Sequence, residues 1–148
     1  IGDGPMRDEL DAQIAALGLT DHFHFAGLVP PAQVHRYLAQ ADLLWHLSLR
    51  EGLPRSVVQA LATGIPAIGY RLDGTPEVIR DGETGYCVAP QQVGEVIEAT
   101  RKIWNDPALA RRMGETGRKR VIEQFDWPRM ADILEREYRE LLAHKTRS

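Results

Sequence analysis

Along the chain, short apolar runs alternate with longer stretches in which apolar residues recur every three or four positions. That alternation predicts an α/β domain, a Rossmann-like parallel sheet flanked by helices. Ile1 reads as the end of a strand closed by the turn Gly2-Asp3-Gly4-Pro5. A helix is predicted from Met6 to Leu17, with Leu10, Ile14 and Leu17 on one face and Gly18 as its stop. Phe23 to Gly27 reads as a strand and Gly27 to Pro31 as a loop, and Pro31 opens a helix carrying Val34, Tyr37 and Leu38. Asp42 to Leu47 is the most apolar run, as expected of a central parallel strand. A helix from Pro54 to Thr63, stopped by Gly64, leads to the short strand Ala67–Tyr70. Thr75-Pro76-Glu77 has the cap, proline and acidic residue of a helix start, and Tyr86–Val88 follows the turn Asp81–Gly85 as a strand. Helices are predicted over Val93–Asn105, Ala108–Gln124 and Pro128–His144, the last with a stripe of Met130, Ile133, Leu134, Tyr138, Leu141 and Leu142. Lys145–Ser148 is expected to be a loose tail, and the sheet is expected to have about five strands.

Composition narrows the function classes. With 148 residues the chain has the size of one domain, and no linker or internal repeat divides it. Apolar residues make up 43% and charged residues 26%, and no apolar run approaches the roughly 20 residues of a membrane span. A net charge of −3 gives no general attraction to nucleic acid. One cysteine, Cys87, cannot form an internal disulfide, which makes a reducing cytoplasm the expected location. The opening Ile1-Gly2-Asp3-Gly4-Pro5 lacks a methionine and the pattern of a signal peptide, and reads as a point inside a longer protein.

Candidate chemistry concentrates between Ser48 and Leu61. This segment follows the central strand, where open α/β sheets bind ligands. With Pro54 as the first helical residue, the amides of Gly52, Leu53, Arg55 and Ser56 would point outward at the positive end of the helix dipole, a site suited to a diphosphate. Arg55, Ser56, Gln59 and Thr63 share a polar face, opposite Val57, Leu61 and Gly64. Gln59 lies about 7.5 Å up the helix from Pro54, within reach of the next group of a ligand held at the helix start. An ordinary helix start is the alternative.

These residues, in this order, resemble the retaining glycosyltransferases of the GT-B fold, in the branch of bacterial mannosyl- and glucosyltransferases. The hallmark of that family is Glu, seven residues, then Glu, within a segment like Ser48–Gln59. Gly2-Asp3-Gly4-Pro5, Phe25–Val29, Ala41-Asp42, Ala62–Pro66, Asp73–Glu77, Asp81–Gly85 and Phe125-Asp126-Trp127 follow the family's order and spacing, so the resemblance covers essentially the whole chain. It implies the C-terminal, donor-binding half of a GT-B fold without its first strand–helix unit, which would carry a basic pair for the diphosphate. It also implies a separate N-terminal acceptor domain. Glu51 would contact the hydroxyls of the donor sugar as the catalytic-site carboxylate, and the following amides would hold sugar and diphosphate. Position 59 would hold the ribose, Leu28 and Val29 would meet the nucleobase, and Gly2 and Gly4 would border the donor. The substrate would be a nucleoside-diphosphate hexose, used with retention and without an obligatory metal or other cofactor. Alone, the chain is expected not to complete a catalytic cycle.

Departures from the family pattern keep other readings open. Gln59 stands where relatives have the second Glu, Pro54 where many have Gly, and Leu47 where Pro is common. A non-catalytic module that has kept only the fold is the alternative, and a nucleotide-sugar epimerase ranks below both. His22 and His24 alternate on their strand without ligand-spaced partners, so no metal site is expected. His46 reads as a packed or lining residue near the site rather than a catalyst, and Glu77 as a helix-start charge, with a role near the donor as the secondary reading because Asp73-Gly74-Thr75 follows a strand end on the same edge. The cluster Arg111, Arg112, Arg118, Lys119 and Arg120 reads as a solvated helix face, with peripheral contact to anionic lipid or to the acceptor domain as a secondary reading. The stripe of the last helix, if uncovered, could pair two fragments as a dimer.

Overall fold

A computed structural model describes residues 1–145; of the tail expected to be loose from Lys145 to Ser148, Lys145 instead ends the last helix and the rest lies outside the described residues. The chain forms two compact units, residues 1–37 and 38–148.

The smaller unit is organised by its first helix, α1 (Arg7–Ala16). Asp8 and Glu9 place negative charge at the positive end of its dipole, and Arg7 pairs with Asp11 at 2.8 Å. Its last carbonyls are closed by the amides of Gly18 and Leu19, with Gly18 in the left-handed region at φ 67°. Single 3-10 turns at Thr20–His22 and Pro31–Gln33 follow, the second leading into α2 (Val34–Leu38). The predicted apolar face of α1 exists, but it is not covered: Leu10 and Leu17 are exposed and Ile14 is half-buried. The predicted strands at Ile1 and at Phe23–Gly27 do not form a ladder. Phe23 is extended, yet the pairing is a single antiparallel bridge between Gly2 and Gly27. A strand persists only where neighbouring backbone takes its N–H and C=O groups, and here one residue finds that partner.

The larger unit carries the sheet. Its strands β1 (Leu44–His46), β2 (Ala67–Tyr70) and β3 (Gly85–Val88) are parallel and lie in that order. Among the described residues three strands therefore replace the expected five, and β1 is an edge strand rather than the centre. The centre is β2, all four residues of which are buried, whereas Trp45 in β1 is exposed. Alternation along β2 divides the core: Ala67 packs with Val57, Leu61, Val78, Ile79 and Cys87, while Ile68 and Tyr70 pack with Val88, Val96, Ile103 and Met113. Burial pushes the Cys87 thiol up to about 11; Asp81 adds to the shift and Arg71 opposes it.

Helices follow the strands: α3 (Arg55–Thr63), α4 (Thr75–Val78), α5 (Val93–Trp104), α6 (Pro107–Gln124) and α7 (Trp127–Lys145). Asp106 caps α6 by accepting the Leu109 amide at 2.9 Å. Two glycines let α6 approach α3. A Cβ on Gly114 would fall on the Gly64 carbonyl, and one on Gly117 would lie 2.6 Å from Leu61 Cδ2. This contact fixes α3, the helix on which most of the candidate chemistry sits. The expected solvated face of α6 holds for Arg111, Arg112, Arg118 and Lys119 but not for Arg120. Arg120 is half-buried and donates to the Glu77 carbonyl at 3.0 Å, closing the end of α4. The stripe Met130, Ile133, Leu134, Tyr138, Leu141 and Leu142 is exposed along α7. Among the described residues, no helix is long and apolar enough to cross a membrane.

Candidate functional site

In the larger unit, β1 ends at His46 and the chain runs through Ser48–Pro54 into α3. Pro54 is not the first helical residue, as its position suggested, but the residue before it. Its ψ of 94° is extended, and its carbonyl accepts the amides of Val57 and Val58 at 3.0 and 3.2 Å. Fully buried and unable to donate, Pro54 anchors the helix start without contributing an amide. No side chain caps α3. The amides of Gly52, Leu53, Arg55 and Ser56 have no hydrogen-bond partner among the described residues. The Arg55 and Ser56 amides lie in the first turn of the nine-residue α3, at the positive end of its dipole, and those of Gly52 and Leu53 lie in the loop just ahead of it, donors available to an anion.

The polar face of α3 is exposed at Arg55 and Gln59, and Ser56 is half-buried, while Val57, Ala60 and Leu61 are wholly buried opposite them. Thr63 turns its hydroxyl back to the Gln59 carbonyl at 2.6 Å, so Gln59 is the polar side chain left facing out one turn beyond Ser56. Gly64, at φ 85°, ends the helix as predicted.

The loop before α3 is held by Asp73 and Gly74, a pair the sequence marked as part of a family motif without showing this contact. The Glu51 amide donates to Asp73 Oδ2 at 3.0 Å, and the Gly74 amide donates to the Gly52 carbonyl at 3.1 Å. Asp73 has a φ of 48°, a conformation that Asp tolerates better than most residues. Gly74 is required by space rather than by φ, because a Cβ there would fall on the Gly52 carbonyl. Gly74 also precedes α4 as its N-terminal cap, the position expected for Thr75; Thr75 is inside the helix, and its side chain is 2% exposed. The Asp-Gly pair after a strand was a turn signal, but nothing local showed what the turn would touch. Ser48 closes the other end by donating to the Arg50 carbonyl at 3.0 Å.

Glu51 projects from this pinned loop with its side chain 32% exposed. Its Oε1 lies 3.3 Å from His46 Nε2, and His46 Nδ1 lies 3.0 Å from Ser56 Oγ. Glu51, Gly52, Leu53, Arg55, Ser56 and Gln59 are thus brought onto one loop-and-helix segment, with His46, Asp73 and Gly74 behind it.

Gly2, Gly4, Leu28 and Val29 belong to the smaller unit. The Gly2 amide donates to the Gly27 carbonyl at 2.8 Å, which places the Gly2 turn beside the Leu28 loop. Gly4 directs its amide to Asp3 Oδ1 at 2.9 Å, so that donor is used locally. Gly2 and Gly4 line a cavity of about 490 Å³ with Met6, Leu10 and Phe25; Leu28 is 81% exposed and Val29 half-buried. Among the described residues, no group of three His, Cys, Asp or Glu side chains is arranged to hold a metal ion.

Comparison with known proteins gives one consistent result. The sequence profile of the glycosyl transferases group 1 family matches residues 1–120. N-acetyl-alpha-D-glucosaminyl L-malate synthase of Bacillus anthracis is 33% identical over 142 residues, 96% of this chain and 37% of that protein. The structure of sucrose-phosphate synthase from Thermosynechococcus elongatus superposes with a TM-score of 0.88 at 28% identity, covering 97% of this chain and 37% of the other. Anabaena HepE, solved in complex with UDP-glucose, superposes at 0.82 with 23% identity and shares the fold over 97% of this chain and 39% of its own. The chain spans about a third of the length of the curated relatives it matches. It belongs to the glycosyl transferases group 1 family, as the α/β fold and the ordered motifs from Gly2 to Trp127 implied.

Proposed function

We propose that this chain binds the nucleoside-diphosphate sugar donor of a retaining hexosyltransferase, with the diphosphate at the start of α3. The observation that carries the reading is the set of four unpartnered amides at Gly52, Leu53, Arg55 and Ser56, on a loop and helix start whose loop is tied to Asp73 and Gly74 through the Glu51 amide and the Gly52 carbonyl. A diphosphate leaving group gains negative charge as the glycosidic bond to the donor breaks. Amides that already point at that charge stabilise it without having to reorganise. Arg55, exposed on the first turn, adds a positive charge on the same side. These groups supply leaving-group stabilisation from the chain itself, and an obligatory metal is not part of the proposal.

Glu51, one residue before this cradle, accepts hydrogen bonds from hydroxyls of the hexose. Gln59, about 6 Å from Arg55 along the helix at 1.5 Å per residue, accepts a ribose hydroxyl through Oε1. The acceptor is bound outside this chain, so transfer belongs to the whole protein. HepE, whose fold this chain shares, was solved with UDP and with UDP-glucose, which makes uridine nucleotides the first probes to use.

Calorimetry on the 148-residue chain tests the reading. UDP and UDP-glucose, then their guanosine and mannose counterparts, are titrated into wild type and Glu51→Ala. The expected result is binding of at least one nucleoside diphosphate, with Glu51→Ala weakening the sugar-bearing ligand and leaving the bare diphosphate within about two-fold. No binding of any of the four at millimolar concentration would instead favour a module that keeps the fold without the donor site. Multiple-turnover sugar transfer by the chain alone would overturn the division between donor and acceptor binding.

A further inference from the structure

We propose that His46 is a positioning residue that sets the Glu51 carboxylate, through a relay running Ser56–His46–Glu51; the inference rests on the donor-binding role given to Glu51 above. No local pattern joins these three residues. The strand end, the loop and the helix start bring them together.

Each member is held by a different element. The backbone of His46 is paired with Gly69 of β2, and a side chain at position 69 would lie 3.3 Å from the His46 carbonyl as well as 2.7 Å from Thr75 Cγ2. Ser56 is the second residue of α3, a helix packed on its far side against α6. Glu51 is pinned at its amide by Asp73. The imidazole lies between them with its side chain 13% exposed.

The chemistry of the partners selects one arrangement of protons. An ionised carboxylate can only accept, so the nitrogen facing it must donate. That places the proton of the neutral ring on Nε2 and leaves Nδ1 as an acceptor for the Ser56 hydroxyl at 3.0 Å. Nε2 itself is buried and falls short of a formed hydrogen bond, since its 3.3 Å contact with Glu51 Oε1 is long and poorly aligned. The relay requires only a small rotation of the Glu51 side chain, which is 32% exposed, to close that gap. The buried donor therefore favours Glu51 rotamers that keep the carboxylate at the mouth of the loop, and Ser56 keeps the ring from turning over.

A second consequence concerns Ser56. Its hydroxyl proton is committed to His46, so it has none to offer a phosphate oxygen. The diphosphate is then held at this position by the Ser56 amide, and the Ser56 side chain acts behind the site.

Long-range ¹H–¹⁵N spectra of the ¹⁵N-labelled 148-residue chain read the relay directly, with His46 assigned by the signals lost in His46→Gln. The expected spectrum has a single Nε2-protonated tautomer whose Nε2 proton exchanges slowly. In Glu51→Ala that proton should exchange at least about tenfold faster while the backbone amide spectrum stays dispersed, because the relay loses the charged acceptor that Nε2 faces. An Nδ1-protonated ring in the wild type, or an exchange rate unchanged by Glu51→Ala, would overturn the relay. A second arm reads its purpose. His46→Leu should weaken UDP-glucose binding at least about fivefold and leave UDP within twofold, whereas an equal loss for both ligands would make His46 a support for the helix start and contradict the proposal. If the wild type binds neither ligand, the donor reading fails and the positioning role fails with it, while the tautomer spectrum still decides whether the three residues are coupled.

Discussion

Residues 1–37 and the segment from Ser48 to Thr63 both carry family motifs, but they rest on very different amounts of packing. Among the described residues, none from 1 to 37 is buried, and α1 leaves Leu10 and Leu17 exposed. In the second segment Pro54, Val57, Ala60 and Leu61 are buried, and the loop ahead of α3 is tied to Asp73 and Gly74. A motif in the sequence marks where a ligand is expected. The burial behind it decides how firmly the groups are aimed. By that measure the proposed diphosphate cradle is backed by a core, whereas the turn at Gly2 and the loop at Leu28 are defined by one backbone bridge.

The largest test of this contrast is a pair of truncations. Leu61→Ala removes a wholly buried side chain packed between α3 and Gly117 of α6, and should cost about 2–5 kcal/mol in urea unfolding. Leu10→Ala, at a position 39% exposed, should cost no more than about 0.5 kcal/mol. Similar losses for the two would erase the distinction. Next is Gly74→Ala, in which the new methyl group meets the Gly52 carbonyl and forces the two loops apart. The expected cost is about 1–3 kcal/mol of stability, together with a loss of UDP affinity that Gly94→Ala, a change into open space, should not share. Calorimetry and thermal melts on the same samples separate the two effects.

Much of the larger unit was legible in the sequence because its signals are local. Gly64 stops α3 where the pattern ends, β2 is a four-residue apolar run, and the turn Asp81–Gly85 leads into β3. Two expectations failed for a shared reason. Phe23–Gly27 has the composition of a strand, but a ladder depends on a partner elsewhere in the chain, and only Gly27 has one. Asp42–Leu47 is apolar enough for a central strand, yet β1 lies at the edge because centrality is a property of neighbours. Around the site, the outward-facing residues of α3 could be read from helical spacing. The hydrogen bond from Glu51 to Asp73 spans 22 positions and the contact of His46 with Ser56 spans 10, and neither distance leaves a periodic trace.

The smallest expected effect sharpens the contrast within α3 itself. Gln59→Glu introduces the carboxylate that the family pattern resembled by Ser48–Gln59 has at its second Glu. It should tighten binding of UDP by about 1 kcal/mol, roughly fivefold, since bonds to charged groups exceed neutral ones by about that much. An unchanged or weaker affinity would mean that the ribose does not reach position 59.

The most direct measurement is a titration of UDP into the ¹⁵N-labelled chain, following the backbone amides. If the diphosphate sits at the start of α3, the amides of Gly52, Leu53, Arg55 and Ser56 should show the largest downfield shifts and saturate together, with Gln59 moving less. Shifts confined to other parts of the chain, or none at these four amides with UDP at millimolar concentration, would contradict a diphosphate site at this helix.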